Sequence, residues 1–101
     1  MNQKIGLIYI NQKKGNIYKI GKSHQLFQKY LDNLRNKNKL EIIFPVMNYH
    51  KIYKKIIKIF SCKYNTCVNF GTKYFEGNLI DMKKDLMDII MNDKCYGKIN
   101  N

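Results

Sequence analysis

Residues 7–23 read LIYINQKKGNIYKIGKS. Two short apolar runs, each with a tyrosine, flank a basic turn, and the second run closes on Gly21-Lys22-Ser23. The runs are rich in β-branched and aromatic residues, the side chains that suit a pleated, half-buried surface. Gly15, within Lys13-Lys14-Gly15-Asn16, supplies the backbone freedom of a hairpin loop. The stretch therefore predicts a β-hairpin, with one strand over 4–10 and its return over 16–21. Everything else in the chain must pack against it.

Beyond the hairpin, Ser23 can cap a helix, with Phe27, Tyr30, Leu31 and Leu34 on one face. That helix should end in the Asn- and Lys-rich stretch 36–39. Residues 40–47 predict a third, largely buried strand. Pro45 cannot donate to a ladder, so this strand belongs at a sheet edge or is bulged there. Asn48 can cap a helix over 49–61. It would turn Ile52, Ile56, Ile59 and Phe60 inward and Lys51, Lys54, Lys55 and Lys58 to solvent. Asn78 followed by Asp81 suits another helix start, with Ile80, Met82, Leu86, Ile89 and Ile90 as its apolar side. The predicted order is β-β-α-β-α-α. The fold class is α+β: a small three-stranded, mostly antiparallel sheet with helices packed on it. One domain spans 1–101, with a core over about 4–92 and a fraying tail at 93–101.

The net charge of +12 directs attention to polyanions, nucleic acid first. All of the 19 basic residues but Arg35 are lysine, and the chain has no alanine, the composition of an AT-rich coding sequence. Cys62, Cys67 and Cys95 are an odd set. They argue against a closed disulfide framework and for a reducing compartment, and their spacing is not that of a zinc site. No run is apolar enough to cross a bilayer, and no secretory h-region opens the chain. An intracellular, soluble protein is expected, without a membrane partner.

Leu7-Ile8-Tyr9, followed after about ten residues by Lys19-Ile20-Gly21-Lys22-Ser23, resembles the two half-motifs of the GIY-YIG nuclease superfamily. The form KIGK[ST] resembles its phage and large-DNA-virus branch. Members of that branch carry a late Glu-Tyr/Trp-Phe segment, where this chain has Lys73-Tyr74-Phe75-Glu76-Gly77-Asn78. The resemblance implies metal-assisted phosphodiester hydrolysis. A carboxylate would hold Mg²⁺, a first-helix arginine would meet the phosphate charge, and a hairpin tyrosine would position water.

Held to that pattern, Tyr9 matches the hairpin tyrosine. The arginine position holds Tyr30, or Lys29 in a register one residue away, and Arg35 is five residues further on, off that face. The glutamate position holds Lys73, a charge reversal where a dication would bind. An ammonium within ~4 Å repels it, since a single pair of unit charges near a protein surface is already worth about 4 kcal/mol. Glu76 is the only carboxylate nearby, and the family pattern already has a counterpart for it.

Each of these residues also has a plainer reading. Tyr9 suits a half-buried sheet position, and Tyr30 shares an apolar helix face. Tyr74-Phe75 suits packing, His50 a surface or capping role. Tyr49, Tyr53, Tyr64 and Tyr74 could stack on bases. Taken together, the residues lead to an expectation of a catalytically degenerate, viral nucleic-acid-binding protein. It would hold backbone phosphate, DNA rather than RNA, through Lys13, Lys14, Lys19, Lys22, Lys29 and Lys73. No cofactor is expected, and Tyr9 would be vestigial. The alternatives are an active Mg²⁺-dependent endonuclease, and a structural protein with a protein partner or a second copy of itself, in host cytoplasm or virion.

Overall fold

The structure, a computed structural model, describes residues 5–24 and 39–92. The hairpin forms as β1 (Ile5–Lys14) and β2 (Ile17–Ser23), both longer than predicted: β1 because the ladder runs up to the turn, β2 because it continues past Gly21 to Ser23, opposite Leu7. Gly15 has φ of +52°, a conformation that costs most side chains energy and glycine almost none. Gln12 Nε2 donates to the Gly15 carbonyl at 2.8 Å, and the register skips at Lys13.

Next come β3 (Lys39–Met47), α1 (Tyr49–Lys63), β4 (Asn65–Thr66), β5 (Tyr74–Glu76) and α2 (Leu79–Met91). The sheet is five-stranded, in the order β3-β1-β2-β5-β4, with every pairing antiparallel. The fold class is α+β, but among the described residues the order is β-β-β-α-β-β-α. The expected three-stranded sheet is corrected by β4 and β5. These short strands come from segments expected to be loop and late motif, and two or three residues are too few to show a periodicity. The helix expected after Ser23 and the tail lie outside the described residues.

Pro45 sits on the edge strand β3, opposite Leu7, as its missing N–H demands. The bulge falls elsewhere: Ile10 faces Ile42 and Asn11 faces Leu40, so Glu41 is the extra residue. Asn48 stands at the N-cap of α1 in a left-handed conformation, φ 57°, and its side chain makes no capping bond. Asn78 does cap α2, accepting from the Asp81 N–H at 3.0 Å.

The main core lies between one sheet face and both helices. Ile8, Ile10, Tyr18, Ile20 and Phe75 meet Ile52, Ile56, Phe60, Met82 and Leu86 there. Phe60 and Phe75 are fully buried and meet edge-to-face with centroids 5.7 Å apart. Two expected core residues are instead on the surface: Ile59 is 37% exposed and Ile80 75%. On the opposite sheet face a smaller cluster joins Leu7 and Tyr9 to Leu40 and Ile43. Among the described residues, no helix is long and apolar enough to cross a membrane.

Candidate functional site

Strand β5 begins at Tyr74, opposite Lys19, so Ile20 to Ser23 of β2 continue without a strand on that side. The backbone there still needs partners. The Ile20 N–H donates to the Lys73 carbonyl at 3.0 Å, and the Tyr53 hydroxyl, reaching over from α1, donates to the Ile20 carbonyl at 2.7 Å. Tyr53 thus fills the ladder position that β5 vacates. This fixes its ring against the strand end, where it is 4% exposed.

Two ammonium groups gather on that ring. Lys22 Nζ lies 5.0 Å from the Tyr53 centroid and Lys73 Nζ 5.5 Å, within reach of cation–π attraction. Lys54 and Lys58, one helical turn apart on α1, join them with Ile57 around a cavity of about 360 Å³. No carboxylate lines this cavity among the described residues, and none there forms an ion pair with these four lysines. Lys22 also donates to Nδ1 of His50 at 2.8 Å, which requires that nitrogen to be unprotonated. Burial raises the Tyr53 pKa, and the nearby Tyr9 hydroxyl adds to the shift. Tyr53 therefore stays protonated at neutral pH, with its proton committed to Ile20.

A larger cavity of about 490 Å³ is lined by Ile5, His24, Tyr49 and His50. The His50 ring stacks on Tyr49 with centroids 4.2 Å apart. No lysine lines this larger cavity among the described residues, whereas four line the smaller one.

The structure brings together two of the expected contacts, Lys22 and Lys73, and places Lys13, Lys14 and Lys19 away from them. Side chains alternate across a sheet, so Lys19, opposite Asn11, points to the other face. Lys13 lies over the Phe70 ring at 5.4 Å, and Lys14 is exposed at the hairpin end. Lys29, Tyr30 and Arg35 lie outside the described residues. Lys54 and Lys58 were expected only to face solvent. Their spacing four apart is the signal for a shared helix face, but nothing local says what that face looks onto.

Tyr9 is buried, 6% exposed, on the sheet face away from α1. Gly21 is its cross-strand partner, and a β-carbon at position 21 would lie 2.2 Å from Tyr9 Cζ. The two strands of the hairpin are thus in register at this pair, and the ring lies across the glycine. Beside Tyr9, Asn11 is 2% exposed, and its Oδ1 has no hydrogen-bond partner among the described residues.

The fit to a divalent cation is poor. Glu76 pairs with Ile17, four residues along β2 from Gly21, which is about 13 Å of strand. Among the described residues, no three His, Cys, Asp or Glu side chains stand close enough to hold a metal. The side chains around Tyr53 are cationic, and Mg²⁺ takes oxygen ligands. Comparison with family models, with curated proteins and with solved structures yields no match to this chain.

Proposed function

We propose that this chain is a nucleic-acid-binding module, a catalytically degenerate relative of the GIY-YIG nucleases that holds backbone phosphate and does not cut it efficiently. One observation carries the reading: Lys22 and Lys73 converge on the Tyr53 ring, with Lys54 and Lys58 around the same cavity and, among the described residues, no carboxylate lining it. Four such charges in one small space attract a polyanion and repel a dication. The register of Tyr9 with Gly21 is in keeping with the resemblance of the hairpin.

Ammonium groups contact phosphate as point charges and read no base edges. Binding is therefore weakly sequence-specific and falls steeply with salt. The test titrates labelled single-stranded DNA, duplex DNA and RNA at rising salt, beside a cleavage assay with Mg²⁺ and Mn²⁺. Salt-sensitive binding without metal-dependent cleavage is expected. Absence of binding to every substrate at low salt overturns the reading, and rapid metal-dependent cleavage overturns its degenerate part.

A further inference from the structure

The Tyr53 cavity has a chemistry more specific than general attraction to a charged backbone. Tyr53 cannot serve as a stacking platform for a base: it is 4% exposed, and its ring already faces two ammonium groups. Its hydroxyl proton is spent on the Ile20 carbonyl. The tyrosine holds Lys22 and Lys73 in place, and any ligand is left to the lysines.

Those lysines are close together and lack a counter-charge among the described residues. Like charges that line one cavity repel one another, and a dianion between them removes more of that repulsion than a monoanion. An internal phosphodiester carries a single charge and two free oxygens. A phosphomonoester carries about −1.5 to −2 at neutral pH and presents three acceptor oxygens. Lys22 spends one of its three N–H groups on His50 and keeps two, and Lys73 adds three more. The cavity, about 360 Å³, has the volume of roughly a dozen waters at ~30 Å³ each, enough for one nucleotide and not for a duplex. The chain end of a strand fits both the size and the charge.

We infer that this cavity seats the terminal phosphate of a nucleic-acid strand. Lys22 and Lys73 hold the phosphomonoester oxygens, and Lys54 and Lys58 take the adjoining backbone. The inference rests on the nucleic-acid reading above and narrows it to strand ends that carry a phosphate.

The test compares one single-stranded oligonucleotide in three forms, 5′-phosphorylated, 3′-phosphorylated and with free hydroxyls at both ends, by fluorescence anisotropy at fixed salt. One phosphorylated form should bind about tenfold tighter than the hydroxyl form, the effect of about one added charge-assisted hydrogen bond. Which form it is identifies the end recognised. In Lys73→Gln, a change at an exposed loop residue that leaves the core untouched, that advantage should shrink to about twofold or less. Lys22→Gln should do the same. Equal affinity for all three forms overturns the terminal-phosphate inference and leaves the nucleic-acid reading standing. An advantage that survives both lysine changes also overturns it, because the phosphate is then held elsewhere. No binding of any form at low salt overturns both.

Discussion

The Tyr9 ring occupies the space where a side chain at Gly21 would begin, so the two halves of the hairpin lock at one cross-strand pair. A β-carbon at 21 would also lie 2.3 Å from the Tyr9 hydroxyl oxygen, far inside any tolerable contact. Gly21→Ala should destabilise the fold by about 1–3 kcal/mol, the usual cost of overpacking. In a double-mutant cycle with Tyr9→Ala, the combined loss should be smaller than the sum of the single losses, because removing the ring makes room for the methyl. Urea unfolding of the four proteins measures this.

Tyr53→Phe separates the two roles of that ring. The lost hydroxyl leaves the Ile20 carbonyl without its donor, at a cost of about 1–3 kcal/mol in stability. The ring face under Lys22 and Lys73 remains, so oligonucleotide affinity should hold in the folded variant. Tyr53→Leu should weaken binding as well, since it removes the surface that gathers the two ammonium groups. Thermal unfolding beside anisotropy distinguishes these outcomes.

Salt dependence counts the lysines that neutralise phosphate. Each of Lys22→Gln, Lys54→Gln, Lys58→Gln and Lys73→Gln should lower the slope of log K against log salt by about one. Lys63→Gln should leave it unchanged, because Lys63 is engaged with Asp85 at 2.8 Å, away from the cavity. Equal effects at all five positions would mean that the charge acts diffusely.

Asp85 ties the end of α1 to α2 by accepting from both Lys63 and Tyr64. Its partial burial pushes its carboxyl pKa up, but the hydrogen bonds from Lys63 and Tyr64 outweigh this and hold it below the usual range. The unfolded chain therefore takes up this proton first. The stabilisation is complete above the unfolded carboxyl value of about 3.9 and is lost as pH falls through the lower folded value. Asp85→Asn should flatten the acid limb of the stability curve below about pH 4, read by thermal unfolding across pH. Lys63 moves the opposite way: its bond to Asp85 raises its pKa, so that contribution fades only in strong alkali. Being exposed to solvent, the amine should add little.

Local chemistry was enough to place the hairpin, the edge position of Pro45, the helix starts after 48 and 78, the side-chain cap at 78 and most of the core. A left-handed glycine, a missing N–H and a side chain spaced for a helix face act within a few residues of themselves. Ile59 and Ile80 read as core because they are apolar at a near-correct angle. Whether a flank position is covered depends on where the neighbouring element stops, and here neither is covered.

The candidate site was only half legible. Lys22 and Lys73 stood out beside the motif-like segments, but Lys54 and Lys58 looked like an ordinary wet helix face, and Tyr53 looked like one tyrosine among eight. Residue order alone settled the chemical inventory: a basic chain, a hairpin closed by a glycine, and a lysine just ahead of Tyr74-Phe75. The three-dimensional fold decided which charges meet. The start of β5 only at Tyr74 leaves the Ile20 carbonyl to Tyr53, and that single hydrogen bond between residues 33 positions apart brings a helix, a strand end and a loop to one ring. Charge acts through space, and distance along the chain does not report it.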